Sequence, residues 1–147
     1  MNRSLALLAG AIAIGTLASA GRGADAGFTS SVWDGVYTDV QAARGAASYT
    51  EHCAVCHGAS LGGVGEAPAL TGARFISDFD GLSLGELFDR IRTTMPLNNP
   101  AGLSRDQYAD VLAFVLKSNG FPAGSSEIYR RREYLDTIAF ESQRRRP

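Results

Sequence analysis

The sequence predicts an all-α domain with three main helices. Three segments each place a hydroxyl residue suited to N-capping ahead of a helical repeat of apolar residues, and no region is rich in strand patterns. Glycine- and proline-containing stretches separate these segments, as is typical of loops. The length of 147 residues and a hydrophobic content of 45% suit a single globular domain.

The first main helix is predicted to begin at about Asp39. Thr38 is followed three residues later by Gln41, which is the spacing of a capping box. Gly45, Tyr49 and Cys53 follow at intervals of four, so they share one face of the helix.

The second main helix is predicted over Leu84–Thr94. Ser83 is its N-cap, and Glu86 stands at the position from which a side chain returns to the cap. Pro96 ends the helix and favours an extended backbone at Met95.

The third main helix repeats the capping pattern with Ser104 and Gln107. Its apolar repeat runs on until Gly120, which stops it. Between the first and second helices, the segment 73–79 is expected to hold a short turn of helix.

The N-terminus reads as a secretory signal peptide over residues 1–20. Arg3 precedes an apolar run from Leu5 to about Ala20, and the run ends in small residues suited to cleavage. An uncleaved anchor is the alternative, although the run is short for a bilayer span. We therefore predict an exported, periplasmic protein with no stable membrane insertion after cleavage, in which residues 21–37 form an entry segment.

Charge divides the mature chain into an acidic body and a basic end. Residues 21–129 hold seven Lys and Arg against twelve Asp and Glu, whereas residues 130–147 hold six Arg against three acids. An acidic body argues against nucleic acid as a partner.

Residues 125–147 are expected to form a basic C-terminal extension. A short helix and then a strand-like piece around Ile138 and Phe140 are possible within it. Its two arginine clusters can dock an acidic partner or an anionic membrane, but a solvated tail is the favoured interpretation.

The segment 50–63 holds both cysteines and both histidines of the chain. Cys53, Cys56 and His57 form the pattern C-x-x-C-H, which is the attachment signature of c-type haem. Two thiols three residues apart on a helix can each add to one haem vinyl group, and the adjacent imidazole then reaches the iron. A zinc site, a thiol–disulfide redox pair and a chance match are the alternatives, but zinc lacks a second ligand pair and the redox pair lacks its βαβ context.

Met95 is the candidate for the second axial iron ligand. Met1 leaves with the signal peptide, so Met95 is the methionine that remains, 38 residues after His57. His52 lies on the attachment helix and cannot reach the opposite face of the same haem. The alternative is a core methionine that fills a gap.

Other residues are expected to support the haem. The backbone carbonyl of Pro68 is our candidate acceptor for the second ring nitrogen of His57, because ligating histidines usually donate that hydrogen to an oxygen. Arg90 or Arg92 can neutralise a propionate, with solvated surface as the alternative. The apolar residues that either line the haem or form ordinary core are Leu70, Phe75, Ile76, Phe79, Leu87, Ile91 and Leu97.

In these features the chain resembles the class I monohaem cytochromes c. The matching pieces "VWDGVYT", "RGAASYTEHCAVCHG", "APALTG", "SLGELFDRIRTTMP" and "YADVLAFVLKSNGFPAG" extend from about Val32 to Gly124. They are similar to small periplasmic cytochromes that accompany pyrroloquinoline-quinone-dependent alcohol dehydrogenases. The resemblance implies three helices around one covalent haem c, a cytochrome domain over residues 38–124, and a crossing of the first and last helices.

In that crossing, the resemblance implies that Gly45 permits close approach and that Tyr49 packs against Val111 and Phe114. Two features depart from the family. Relatives often carry an aromatic hydrogen-bond donor near Phe79, and the arginine-rich end lies beyond the matching region.

These expectations predict a one-electron carrier and not an enzyme. With His57 and Met95 both on the iron, no open position is left for catalysis, and the thioether raises the potential. A dehydrogenase would be the donor, and an oxidase or another cytochrome the acceptor. A dedicated cytochrome subunit of an alcohol dehydrogenase is the alternative, and a haem sensor or enzyme that binds small ligands is less favoured.

Overall fold

The computed structural model describes residues 27–144 and confirms the all-α prediction. The signal peptide, the start of the entry segment and Arg145–Pro147 lie outside the described residues. In chain order the elements are β1 (Ser30–Ser31), a 3-10 helix (Val32–Asp34), α1 (Asp39–His52), α2 (Ala54–His57), α3 (Gly72–Phe79), α4 (Leu84–Thr94), α5 (Arg105–Ser118), α6 (Arg132–Leu135) and β2 (Ile138–Ala139).

The three longest helices begin where the capping residues predicted. Thr38, Ser83 and Ser104 each accept a hydrogen bond from the backbone N–H three residues on, at the starts of α1, α4 and α5. The short turn expected over 73–79 is in fact the two-turn helix α3. None of the helices found between residues 27 and 144 is long and apolar enough to cross a bilayer.

The crossing of α1 and α5 is the centre of the fold. At Gly45 a Cβ atom would lie 1.8 Å from the backbone carbonyl oxygen of Asp110, so the two helices touch through their backbones and only glycine fits. One turn further along α1, the ring of Tyr49 packs against Phe114 with 5.2 Å between ring centroids.

The capping box predicted at Thr38 is only half formed. Thr38 accepts from the N–H of Gln41, but the side chain of Gln41 does not return to the cap. It is 2% exposed and bonds Ile128 instead, donating to its carbonyl at 3.2 Å and accepting from its N–H at 2.7 Å. A contact with a segment far away in the sequence therefore replaces the capping-box contact between Gln41 and Thr38.

That distant segment corrects the prediction of a solvated tail. Residues 125–144, which we call the C-terminal strap, bury five apolar residues at 5% exposure or less: Ile128, Leu135, Ile138, Ala139 and Phe140. Its strand β2 pairs in parallel with β1, in the register Ser30 to Ile138. The strap is therefore part of the core and joins the N-terminal segment to α4.

The centre of the strap is Phe140, which is fully buried. Its ring lies 5.3 Å from Phe121, 6.1 Å from Phe75 and 6.0 Å from Phe79, measured between centroids. The indole N–H of Trp33 donates to the carbonyl of the next residue, Glu141, at 2.9 Å. The strap thus completes an aromatic cluster with α3 and the entry segment.

Two arginines of the strap, Arg130 and Arg132, lie on the surface in ion pairs within the chain. Arg130 binds Asp106 at 2.6 Å, and Arg132 binds Asp136 at 3.1 Å as well as Asp89. Exposed pairs of this kind contribute little to stability individually. The buried apolar residues, and not the arginine charges, hold the strap in place.

Replacing Ser83 with alanine should destabilise the fold more than the same change at Ser104. Both residues form a capping box, but the Ser83 hydroxyl also lies 3.0 Å from a carboxylate oxygen of Asp136 in the strap. Loss of a serine cap costs about 1 kcal/mol, so we expect about 1 kcal/mol for Ser104→Ala and about 2 kcal/mol for Ser83→Ala. Urea unfolding of both variants measures the difference, and equal losses would show that the contact with Asp136 contributes nothing.

Candidate functional site

The C-x-x-C-H segment continues the end of α1. The N–H of Cys53 donates to the carbonyl of Tyr49 at 2.8 Å, and the N–H of His57 donates to the carbonyl of Cys53 at 3.0 Å. The backbone therefore stays close to helical from α1 into α2, with a change of direction at Cys53. This keeps the two cysteines about one turn apart.

The two cysteines form no disulfide with each other, and they differ in exposure. Cys53 is half-buried against the core, whereas Cys56 is exposed. Burial raises the pKa of Cys53, and the neighbouring Cys56 adds to the effect. Between residues 27 and 144, moreover, no three His, Cys, Asp or Glu side chains converge to hold a metal ion.

His57 is buried, and its ring contacts a backbone carbonyl. The residue is 7% exposed, and the Nδ1 atom of its ring lies 2.9 Å from the carbonyl oxygen of Pro68. A carbonyl only accepts, so Nδ1 is the donor in this contact and Nε2 is the ring nitrogen left for another partner. This is the arrangement that suits a histidine ligating a metal through Nε2.

Tyr49 positions the chain directly after His57, a role that the sequence did not reveal. Its hydroxyl donates to the carbonyl of Gly58 at 2.7 Å. Burial raises the pKa of Tyr49 to about 12, with the nearby Cys53 as the second cause, so the hydroxyl remains a donor. The N–H of Gly63 donates to the carbonyl of His57 at 2.8 Å, which closes the loop onto the attachment segment.

Asn119 is a second supporting residue that sequence reasoning missed. At the C-terminal end of α5, its amide donates to the carbonyl of Leu70 at 2.9 Å and accepts from the N–H of Gly72 at 3.1 Å. It therefore anchors the segment that follows Pro68. An asparagine after a helical repeat is usually a C-cap, so the pattern offered no signal for this longer-range contact.

Met95 is the C-cap of α4 and is half-buried. Its backbone is extended at φ −124° and ψ 153°, as the following proline predicted. Its N–H donates to the carbonyl of Ile91 at 2.9 Å, and its own carbonyl accepts from the hydroxyl of Tyr108 at 2.6 Å. Hydrogen bonds therefore hold the backbone of Met95 on both sides.

Of the seven predicted lining residues, three are partly buried, three are buried in the core (Phe75, Phe79 and Leu87), and Leu97 is 79% exposed. Leu70, Ile76 and Ile91 are only partly buried where they pack on the core, so each leaves apolar surface for another group to cover. Phe79 is 9% exposed and packs against Phe75 and Phe140. Phe79 therefore belongs to the aromatic cluster of the strap, and its contact with a cofactor stays a prediction.

The two arginines of α4 differ in their surroundings. Arg92 pairs with Asp89 at 3.3 Å. The guanidinium of Arg90 lies 5.8 Å from the ring centroid of Phe79 and pairs with no carboxylate among residues 27–144. Arg90 is thus the better candidate of the two to meet an anionic group.

The donor set fits haem c. Two free thiols can form the thioether bonds to the vinyl groups, and the imidazole with its free Nε2 suits the iron. A thioether is present in Met95, and partly covered aliphatic residues can take the apolar faces of the ring. The arrangement as a whole therefore has the chemistry that this group requires.

Comparison with solved structures found a likeness to the sulfane dehydrogenase SoxCD from Paracoccus pantotrophus. The identity is 23% and the TM-score 0.48, over 73% of this chain and 61% of that chain. This chain thus spans less than two thirds of that one. Comparison with curated proteins gave no match.

A family model matches residues 40–115, just over half of the chain. Its description is cytochrome c oxidase, cbb3-type, subunit III. The matched region runs from the start of α1 through the C-x-x-C-H segment and α4 into α5. The chain therefore belongs to this family of c-type cytochrome domains, and its cofactor is covalently bound haem c.

Proposed function

We propose that the protein is an exported one-electron carrier whose haem is attached at Cys53 and Cys56 and ligated axially by His57 and Met95. The observation that carries the proposal is the 2.9 Å contact between Nδ1 of His57 and the carbonyl oxygen of Pro68, which uses Nδ1 and leaves Nε2 as the nitrogen available to iron. The backbone of Met95, held by Ile91 and Tyr108, supports the second ligand. Family membership supports electron transfer in general.

When bound, haem c supplies one-electron chemistry between Fe(II) and Fe(III). The residues of this chain determine how that chemistry is used. His57, oriented by Pro68, would occupy one axial position, and Met95 would occupy the other and favour Fe(II) through its soft sulfur. With both positions held by the protein, no site is left for a substrate, so we infer transfer to and from other proteins.

The visible spectrum of the purified holoprotein tests this proposal. We expect a low-spin reduced spectrum and, in the oxidised protein, the weak far-red band of a methionine–Fe(III) bond. Addition of CO to the reduced form should change the spectrum little, because Met95 already occupies the position that CO needs. A high-spin oxidised spectrum that shifts on adding CO or cyanide would replace the carrier with a sensor or enzyme that binds small ligands.

We propose a dehydrogenase as electron donor and an oxidase or another cytochrome as acceptor, without nucleic acid and without stable membrane insertion. The second candidate, a dedicated subunit of a dehydrogenase that depends on pyrroloquinoline quinone, is supported by the sequence resemblance from Val32 to Gly124. Co-purification of a dehydrogenase with the tagged protein from the periplasm would favour the subunit. Recovery of the cytochrome alone, together with reduction by several donors, would favour the free carrier.

A further inference from the structure

We propose that Tyr108 is a positioning residue for Met95, an inference that rests on the proposed ligation of iron by that methionine. Tyr108 lies in the first turn of α5 and is 2% exposed. Its hydroxyl donates to the backbone carbonyl of Met95 at 2.6 Å and lies 3.4 Å from the N–H of Leu103. One phenol therefore contacts both ends of the loop 95–103.

This loop has few other attachments to the domain. Residues 97–102 are all exposed, and Leu97 is 79% exposed. The two backbone hydrogen bonds inside the loop, from Asn99 to Pro96 at 2.9 Å and from Gly102 to Asn99 at 3.0 Å, join loop residues to each other. Beside the bond from the Met95 N–H to Ile91 and the packing of Leu103 on the core, the Tyr108 hydroxyl is the contact that ties the carbonyl of Met95 to α5.

The rest of Tyr108 is well anchored. Its helix α5 crosses α1 in backbone contact at Gly45, and three neighbouring residues of α5, Val111, Leu112 and Val115, are 3% exposed or less. The hydroxyl is therefore a fixed point, and the Met95 backbone is held to it next to the side chain that bears the sulfur. Without the hydroxyl, the loop gains freedom and the thioether competes less well with an added ligand.

The test is a titration of the ferric holoprotein with imidazole, followed by loss of the far-red methionine–Fe(III) band. The variants are Tyr108→Phe and, as matched control, Tyr37→Phe. Tyr37 is 1% exposed and its hydroxyl donates to the carbonyl of Phe121 at 2.7 Å, so the control removes the same type of buried hydrogen bond away from the loop.

We expect Tyr108→Phe to bind imidazole about fivefold more tightly than the wild type, the factor that corresponds to one neutral hydrogen bond, with haem content unchanged. Tyr37→Phe should lower the midpoint of thermal unfolding by about as much as Tyr108→Phe does, but it should leave the imidazole affinity at the wild-type value. Equal imidazole affinities in Tyr108→Phe and Tyr37→Phe would overturn the positioning role while leaving ligation by Met95 intact. A wild-type protein without the far-red band would overturn the ligation itself, and this inference with it.

If Tyr108→Phe does not fold, NMR of the wild-type protein tests the proposal. In the diamagnetic ferrous protein, a hydroxyl bonded to a buried carbonyl exchanges slowly enough for its proton to be seen by NMR. We expect such a proton on Tyr108, with a nuclear Overhauser contact to the Met95 backbone. A Tyr108 hydroxyl in fast exchange with water would overturn the proposal.

Discussion

Replacing Met95 with alanine is expected to leave the haem covalently attached but to lower its reduction potential by about 130 mV. Attachment depends on Cys53 and Cys56, which the change does not touch. The thioether favours Fe(II), and a preference of roughly 3 kcal/mol converts to about 130 mV at 59 mV for each tenfold change in a one-electron equilibrium. The far-red band should disappear, and the reduced protein should bind CO.

A redox titration of wild type and variant measures this effect, with Leu97→Ala as control. Leu97 lies two residues beyond Met95 in the same loop, is 79% exposed, and loses a similar side-chain volume on substitution. Its potential should stay within about 20 mV of the wild type, which is less than a threefold change in the equilibrium constant. An unchanged potential and an intact far-red band in Met95→Ala would show that another residue ligates the iron.

Replacing Phe140 with alanine is expected to reduce the free energy of unfolding by about 3 to 5 kcal/mol. Its ring is fully buried among Phe75, Phe79 and Phe121, so truncation removes the ring from the core and leaves a cavity. A loss of this size is a large part of the stability of a small domain. Urea unfolding, followed by far-ultraviolet circular dichroism, measures it.

The control for this prediction is Tyr129→Ala, which removes an aromatic ring from the surface of the same strap. Tyr129 is 58% exposed and its ring contacts Tyr134 at 4.8 Å, a pair for which we expect a loss of about 1 kcal/mol. If Phe140→Ala were no more costly than Tyr129→Ala, the strap would not be part of the folding core. Haem content should be measured in both variants, so that loss of the cofactor is not mistaken for loss of packing.

The sequence alone determined the main helices and the chemistry of the haem segment. Ser83 with Glu86 and Ser104 with Gln107 predicted the starts of α4 and α5 because a capping box is a contact between residues three apart. Pro96 predicted the extended backbone at Met95 because its ring restricts the preceding residue. The C-x-x-C-H pattern indicated haem c for the same reason: its cysteines and histidine lie within one short segment.

Only the tertiary structure decided the contacts between residues far apart in the chain. The pairing of Gln41 with Ile128 spans 87 residues and replaces a local contact that the pattern predicted. Phe140 is buried because α3, the entry segment and the strap pack together. The arginines that surround it in the sequence favoured the interpretation of a solvated tail.

The same limit applies to the proposed axial site. The hydroxyl of Tyr108 and the carbonyl of Met95 are thirteen residues apart, and the amide of Asn119 and the carbonyl of Leu70 are forty-nine apart. A carbonyl acceptor exists at every residue, so no residue type marks which one a tyrosine or an asparagine will bind. Local rules therefore predict where helices begin and which groups can bind haem, whereas the packing of α5 against the loops selects the residues that orient those groups.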